Sequence, residues 1–207
     1  MRRTRVKICG LTRAADVDAA VQAGADALGF VFTPRSRRCI DTGTARELVQ
    51  RVPAFVARVG LFMDQDAMEV RRVLAEVPLS LLQFHGAEDG DFCRQFGLPY
   101  IKALAMGGAG QLPNAGEYPD AAALLLDSHE PGSAGGTGHA FDWDRIPPLP
   151  RPLVLAGGLD PDNVARAVRT VRPWAVDVSS GVEQEPGVKS AVKMNRFIEE
   201  VSSEVSD

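Results

Sequence analysis

Short apolar segments recur along the chain, and most of them are followed by a turn and then by a stretch with helical spacing. Apolar and polar residues show little strict alternation within these segments, which is typical of parallel strands buried on both faces. The pattern therefore predicts eight buried strands. They are Arg5–Cys9, Ala27–Phe32, Ala57–Phe62, Leu79–Phe84, Tyr100–Ala103, Ala122–Leu126, Leu153–Ala156 and Ala175–Val178.

The stretches between the predicted strands place apolar residues three or four positions apart, as amphipathic helices do. Glycine and proline in 107–118 and 142–146 weaken the pattern there, so we expect two of the eight helices to be short or degraded. The predicted helices are Ala14–Ala23, Thr44–Val52, Ala67–Val77, Asp162–Val171 and a C-terminal helix from Ser190 to about Glu200.

Polar residues that commonly cap helices flank these stretches. We expect Thr12 to cap the first helix, and Asp41 or Thr42 to cap the second. Asp66 is expected to cap the third helix, and Gly24 to end the first.

Eight strands alternating with helices suit either a closed (β/α)8 barrel or an open doubly wound sheet. No Gly-x-Gly-x-x-Gly motif follows the first strand to favour a dinucleotide-binding sheet. No composition shift or charge block divides the 207 residues. The sequence therefore predicts an α/β protein in which residues 1–207 form a single (β/α)8 TIM-barrel domain.

Composition narrows the function classes. The chain is 45% hydrophobic and 24% charged, which excludes disordered, collagen-like and coiled-coil proteins. Lys and Arg number 23 against 27 Asp and Glu, a net charge of −4, so no basic footprint for nucleic acid is present. The longest apolar run, Ala121–Leu126, is far shorter than the ~20 residues of a membrane helix. We therefore expect neither nucleic-acid nor membrane partners.

The three cysteines, Cys9, Cys39 and Cys93, are odd in number and lie 30 and 54 residues apart, which supports neither a disulfide framework nor a CxxC zinc site. A reduced, cytoplasmic protein is expected. No His, Asp and Glu set has metal-ligand spacing, so the sequence predicts no metal site.

In a (β/α)8 barrel the functional residues follow the carboxyl ends of the strands. Gly157 and Gly158 follow the seventh predicted strand, and Ser180 and Gly181 follow the eighth. Glycines there let backbone N–H groups approach a phosphate, although each pair alone also fits a tight turn. Their joint position favours a phosphomonoester held by backbone dipoles.

Two further strand ends carry acid–base candidates. Cys9 ends the first strand, where a buried, non-catalytic cysteine is the alternative. Asp127 follows a buried strand, where an unpaired carboxylate is costly and so needs a partner or a function. Together the two residues can flank one substrate as an acid–base pair.

Three loops offer further contacts to a substrate. Arg35, Arg37 and Arg38 can bind a carboxylate from the loop after the second strand, unless that loop is only a solvated basic segment. His85 is either a donor in the site or a core histidine. The glycine-rich stretch 129–140 fits a mobile lid or a plain surface loop, and it lacks the Gly-Lys-Ser/Thr ending of an ATP-binding loop.

The order and spacing of several motifs resemble the phosphoribosylanthranilate isomerase family of tryptophan biosynthesis. The resemblance runs nearly end to end, and the first and the last two motifs are its most specific part. The matching segments are KICGLT at 7–12, ALGFVF at 27–32 with PRSRR at 34–38, VGLF at 59–62, LQFHG at 82–86, LLDS at 125–128, GGTG at 135–138 with FDW at 141–143, LAGGL at 155–159 and DVSSGVE at 177–183.

The resemblance implies an isomerase without a cofactor. It would convert N-(5-phosphoribosyl)anthranilate to 1-(2-carboxyphenylamino)-1-deoxyribulose 5-phosphate by an Amadori rearrangement. It implies Cys9 as general base, Asp127 as general acid and Arg35 as the group facing anthranilate. The residues expected to bind the rest of the substrate, a small phosphoribosyl compound, are His85, Gly157, Gly158, Asp177, Ser180 and Gly181. Members of the family occur as monomers and homodimers.

That chemistry needs Asp127 protonated and Cys9 ionised, so we expect positive charge or donors to lower the pKa of the thiol. Two other classes of barrel share the phosphate loops. A histidine-pathway sugar isomerase or an indoleglycerol phosphate synthase uses other catalytic residues, and a non-catalytic phosphosugar-binding barrel needs no Cys9 and Asp127 pair.

Overall fold

Eight parallel strands close into a barrel in the computed structural model of the protein, which describes residues 3–106, 115–128, 143 and 146–204. Each strand pairs with the next, and the eighth pairs with the first. All eight lie within two residues of their predicted ends, so the predicted (β/α)8 barrel is confirmed. The strands are β1 Arg5–Cys9, β2 Ala27–Val31, β3 Ala57–Phe62, β4 Leu81–Phe84, β5 Tyr100–Ala105, β6 Ala123–Asp127, β7 Leu153–Leu155 and β8 Ala175–Val178.

Helices lie between most of the strands. The part of 107–118 that is described holds one 3₁₀ turn, Ala115–Glu117. The predicted lid at 129–140 and most of 142–146 lie outside the described residues. Nowhere in the described chain is a helix long and apolar enough to span a membrane. The helices are α1 Ala14–Ala23, α2 Thr42–Val49, α3 Ala67–Glu76, α4 Gly90–Arg94, α5 Val164–Val171 and α6 Ala191–Ser203.

The loop after β8 contains structure that the sequence pattern did not predict. A 3₁₀ helix, Ser180–Val182, leads into a small antiparallel hairpin of β9, Glu183–Glu185, and β10, Val188–Lys189. The hairpin borders the mouth of the barrel, because Glu183 and Glu185 line the same cavity as the ends of the barrel strands.

Most of the predicted caps are confirmed. Asp41 and Asp66 each accept a hydrogen bond from the third residue beyond them, and Gly24 ends α1 in the left-handed conformation. The prediction for Thr12 is wrong, because its hydroxyl donates to the Gly187 carbonyl oxygen at 2.6 Å in the β9–β10 turn instead. The Thr12 hydroxyl thus binds a residue that is distant in the sequence, which the local pattern cannot indicate.

The pleat of β1 sends alternate residues to opposite sides of the barrel wall. Val6 and Ile8 join the large apolar layer between the strands and the helices. Lys7 and Cys9 therefore point into the barrel. The apolar cluster inside the barrel is small and comes from other strands, so polar side chains from β1, β4, β6 and β8 share the interior near the carboxyl ends of the strands.

Candidate active site

A cavity of about 640 Å³ opens at the carboxyl ends of the barrel strands. It brings together all of the predicted site residues except Gly181. The predicted residues that line it are Cys9, Arg35, His85, Asp127, Gly157, Gly158, Asp177 and Ser180.

Cys9 ends β1 and is only 5% exposed. In the barrel register it lies beside Gly29 of β2. A Cβ atom at residue 29 would lie 2.8 Å from the Cys9 Sγ and 3.1 Å from its Cα. The sulfur therefore occupies space that exists only because residue 29 has no side chain.

The charge environment of Cys9 differs from the sequence-based expectation. Burial raises the pKa of the Cys9 thiol above 9.0, its ordinary value, while Lys7 acts to lower it and Asp177 to raise it further. The expected lowering is therefore wrong, because desolvation outweighs the nearby positive charge.

Lys7 and Asp177 form an ion pair inside the barrel. The Lys7 Nζ donates to the Asp177 Oδ1 at 2.9 Å, and their side chains are 4% and 9% exposed. Burial alone would lower the pKa of Lys7, but attraction to Asp177 and Cys9 outweighs it and raises that pKa. Lys7 is therefore charged and occupies the Asp177 oxygen that faces β1, while burial raises the pKa of Asp177 above its ordinary range in spite of Lys7.

Asp127 ends β6 and lies close to His85, which follows β4. The His85 Nε2 is 3.6 Å from the Asp127 Oδ2, and both side chains are largely buried. On the other side of the ring, the Gln83 Nε2 is 3.4 Å from the His85 Nδ1. With the Gln83 amide as donor, a neutral His85 carries its proton on Nε2, toward Asp127.

The glycines after β7 take conformations that other residues rarely adopt. Gly157 and Gly158 have φ angles of +83° and +65°. A Cβ at Gly157 would overlap the backbone nitrogen of Ser128. Within the described residues, neither glycine N–H donates a hydrogen bond. Two backbone donors at the cavity wall thus remain available to an anion.

Gly181 lies behind the cavity wall. A Cβ at this position would overlap the carbonyl oxygen of Leu159. Gly181 therefore lets the loop after β8 pack against the loop after β7. The two predicted phosphate-binding loops are in contact, and Ser180 alone of the 180–181 pair lines the cavity.

Arg35 reaches the cavity from the loop after β2, and its guanidinium lies 3.2 Å from the Asp64 Oδ2. Asp64 has a φ angle of +58°, and its backbone N–H donates to the buried Glu88 carboxylate at 2.8 Å. Glu88 also pairs with Lys102 at 2.9 Å. A buried network thus holds Asp64, which in turn holds Arg35.

Arg38 does bind a carboxylate through both its Nε and an NH2 group, as its residue type allows, but that carboxylate belongs to Glu183. The Lys189 Nζ donates to the same carboxylate at 2.7 Å and to the Ser179 carbonyl oxygen at 3.0 Å. The Ser179 hydroxyl donates to the Cys9 carbonyl oxygen at 3.1 Å. This network connects the loops after β1, β2 and β8 around the cavity.

Lys7, Gln83 and Gly29 contribute to the site but were not predicted as site residues from the sequence. All three belong to strands whose other residues are mostly apolar, and each lies on the inward side of its strand. A polar residue or a glycine at the inward position of a buried strand is the signal that would have identified them.

One family of known proteins matches nearly the whole chain. The family model for N-(5'-phosphoribosyl)anthranilate (PRA) isomerase matches residues 6–200. The N-(5'-phosphoribosyl)anthranilate isomerase of Hahella chejuensis is 51% identical over 205 residues, which cover 98% of this chain and 96% of that protein.

Solved structures agree in fold over the same length. The phosphoribosyl anthranilate isomerase from Thermus thermophilus matches with a TM-score of 0.86 and 42% identity, covering 97% of this chain and 99% of that one. A phosphoribosyl anthranilate isomerase in complex with reduced 1-(o-carboxyphenylamino)-1-deoxyribulose 5-phosphate matches with a TM-score of 0.79 and 37% identity, over the same shares. The chain therefore belongs to the N-(5'-phosphoribosyl)anthranilate isomerase family, the isomerases of tryptophan biosynthesis.

Proposed function

We propose that this single barrel domain isomerises N-(5'-phosphoribosyl)anthranilate with Cys9 as general base and Asp127 as general acid. The observation that carries the proposal is that both residues line one cavity, at the ends of β1 and β6. The same cavity is bordered by the glycine loops after β7 and β8. No cofactor takes part in the proposed chemistry.

In this proposal the phosphate of the substrate binds at the β7 and β8 loops. Gly157 and Gly158 offer two uncommitted N–H donors, and Ser180 adds its backbone and hydroxyl groups beside them. Backbone dipoles and a fixed loop conformation bind a tetrahedral oxyanion without a lysine. This end of the cavity anchors the substrate so that its sugar ring reaches the strand ends.

Arg35 binds the carboxylate of the anthranilate ring. Its guanidinium is a fork of donors that matches a carboxylate, and its pairing with the Asp64 carboxylate at 3.2 Å supports this role. The ligand of the solved relative carries a carboxyphenyl group and a 5-phosphate, so it needs anion sites at both ends. Arg35 and the glycine loops supply these two sites.

The first chemical step opens the ring. Asp127 donates its proton to the furanose ring oxygen as the bond between that oxygen and carbon 1 breaks. The lone pair of the anthranilate nitrogen forms a double bond to carbon 1, which gives a protonated Schiff base. His85, with its Nε2 3.6 Å from the Asp127 Oδ2, is the neighbouring polar group that stabilises the carboxylate that this step leaves behind.

The second step moves hydrogen away from carbon 2. The Cys9 thiolate takes the proton of carbon 2, and the electrons of that C–H bond form a double bond between carbons 1 and 2 as the iminium nitrogen is neutralised. The resulting enol loses its hydroxyl proton and gains one at carbon 1, which completes the ketone. Substrate and product contain the same atoms: the bond between carbon 1 and the ring oxygen is lost, a carbonyl forms at carbon 2, and hydrogen moves from carbon 2 and its hydroxyl to carbon 1 and the former ring oxygen.

The proposal is tested by replacing single cysteines and following substrate consumption by its fluorescence. Cys9→Ser should lower kcat by at least about a hundredfold, because a serine hydroxyl is not a base near neutral pH. Cys39→Ser, a matched change outside the cavity, should keep full activity. Full activity in Cys9→Ser would show Cys9 to be a packing residue, and an inactive wild type with intact phosphosugar binding would favour a non-catalytic barrel.

A cytoplasmic location belongs to the same proposal and is supported by the free state of all three cysteines. The oligomeric state, monomer or homodimer, stays a prediction.

A further inference from the structure

Lys7 is a buried cation that the proposed steps do not use. Its ammonium lies inside the barrel, 2.9 Å from the Asp177 Oδ1, with the side chain only 4% exposed. Placing this charge in the interior is costly, and an apolar pair of the same volume would fill the space at less cost. Retaining a charged pair beside the cavity therefore calls for a functional reason.

The geometry of β1 places Lys7 beside the thiol. Lys7 and Cys9 are two residues apart on one strand, so both side chains lie on its inward face. A Cβ at Gly29 would lie 2.8 Å from the Cys9 Sγ and 3.2 Å from the Lys7 Cε. Because both atoms border that one point, the sulfur and the last methylene of the lysine are within about 6 Å of each other, a range over which an opposite charge shifts a titration strongly.

The charges that face the thiol come from every side of the site. Lys7 lies on the same strand, Asp177 on β8, and Lys189 on β10. Arg38, from the loop after β2, also interacts with Cys9. Asp127 on β6 faces Asp177. Near the thiol the cations are Lys7, Arg38 and Lys189, and the carboxylates are Asp177 and Glu183.

Three cations share two paired carboxylates, Asp177 and Glu183, so one of the cations can also face a new negative charge on sulfur. Arg38 and Lys189 are both committed to Glu183 by short ion pairs, whereas the ion-pair partner of Lys7 among the described residues is Asp177 alone. Lys7 is therefore the cation that can respond to a new negative charge on sulfur.

We propose that Lys7 is the counter-ion of the Cys9 thiolate, and that Asp177 is the positioning residue that holds Lys7 in the barrel until the thiol ionises. The inference rests on the proposed function in one respect, the use of Cys9 as a base. It assigns Asp177 a role in tuning the base rather than in contacting substrate. Lys7 acts through Cys9 and is itself a positioning residue.

The test is a pH titration of Cys9 by the ultraviolet absorbance of its thiolate, with Cys9→Ser as the blank. Cys39→Ser serves as the background, and Cys93 stays silent because burial raises its pKa to about 12. Lys7→Met combined with Asp177→Asn removes both charges and leaves none unpaired. This variant should shift the Cys9 midpoint upward by at least about one pH unit, a tenfold loss of thiolate at a given pH.

Asp177→Asn alone should shift the Cys9 titration midpoint in the opposite direction. With Lys7 retained and its competing carboxylate removed, the Cys9 midpoint should move downward. Opposite shifts from the two variants support the counter-ion role, because a purely structural pair would move both titrations the same way or neither. An unchanged midpoint in the folded double variant, or a downward shift in it, would overturn the inference.

A second variant covers the case in which the double variant does not fold, and the titration itself does not require catalysis. If the double variant fails to fold, Lys7→Arg, which keeps the charge, is compared with the Cys39→Ser background and should keep the midpoint within about half a pH unit. A shift of the Cys9 midpoint by more than one pH unit in Lys7→Arg would count against Lys7 as the counter-ion. The titration does not depend on turnover, so a chain whose Cys9→Ser variant remains active would refute the proposed base without altering the measured midpoints.

Discussion

The sulfur of Cys9 on β1 fills the space in which Gly29 on β2 would carry a side chain. The two residues are partners in the barrel register, and a Cβ at residue 29 would lie only 2.8 Å from the sulfur. Real side chains essentially never pack that closely, so the glycine determines where the thiol lies. The position of the proposed base thus depends on a residue that touches no substrate.

Gly29→Ala should displace the thiol and lower kcat by about ten- to a hundredfold, since an error of an ångström in a reacting group costs this much. KM should change little, because Gly29 does not line the cavity. Steady-state kinetics measures both. Gly43→Ala, at an exposed position in α2, is the control and should retain wild-type kcat. Unchanged kcat in a folded Gly29→Ala variant would contradict the importance of this contact.

Asp127→Asn should keep substrate binding and lower kcat by about 10²–10⁴-fold, because an amide has the shape of the carboxylic acid but cannot give up its proton to the ring oxygen. Asp120→Asn is a matched control, since Asp120 is an exposed partner of Arg94. A kcat above about a tenth of wild type in Asp127→Asn would remove Asp127 from the role of general acid.

The order of the strands could be predicted from the sequence because most of the apolar segments are followed by a helix, so the local pattern and the barrel topology agree. The strand ends then located the cavity. The contacts inside the barrel were not readable. Lys7 and Asp177 are 170 residues apart, and although a closed barrel pairs β1 with β8, no local pattern gives the register that places these two residues side by side.

Two errors have the same origin. The sequence suggested that Thr12 caps α1, but its hydroxyl has a partner at Gly187 in the distant β9–β10 turn. The chemistry suggested a lowered pKa for Cys9, but the extent of its burial is a property of the closed barrel. In both cases tertiary structure outweighs what the neighbouring residues indicate.

The phosphate site is tested with Gly158→Ala and inorganic phosphate as a competing anion. The left-handed φ of +65° at Gly158 is strained for any residue with a side chain. The loop should therefore shift, and its N–H donors should no longer point at the phosphate. KM and the inhibition constant for phosphate should rise together, each by about tenfold or more, while kcat changes less.

Gly97→Ala controls for backbone strain, because Gly97 has a φ of +71° and open space around it, outside the cavity. It should cost stability of about 1–2 kcal/mol, as a left-handed alanine does, and leave both constants unchanged. If Gly158→Ala raised KM without changing inhibition by phosphate, the phosphate would have to bind elsewhere.

The ion network at the β9–β10 hairpin should make stability depend on pH through Glu183. Burial works against the charge of Glu183, but Arg38 and Lys189 outweigh it and hold its pKa below 4.5, its ordinary value. A carboxyl whose pKa is lower in the folded state stabilises the protein above its unfolded-state pKa and loses that effect as the pH falls through the folded value. The stabilisation should therefore be complete near neutral pH and should disappear below about pH 4.5.

Glu183→Gln removes this contribution and leaves two cations facing a neutral amide. At about pH 7 the variant should lose up to about 3–5 kcal/mol of unfolding free energy, and its deficit relative to wild type should shrink as the pH falls below about 4.5. Denaturant unfolding at a series of pH values measures the difference, with Glu185→Gln, exposed on the same strand, as the control. Between about pH 4.5 and pH 3 the carboxylate of Glu183 loses its charge but keeps its shape. If the deficit in unfolding free energy stayed constant down to about pH 3, Glu183 would therefore stabilise the hairpin through shape and neutral hydrogen bonds.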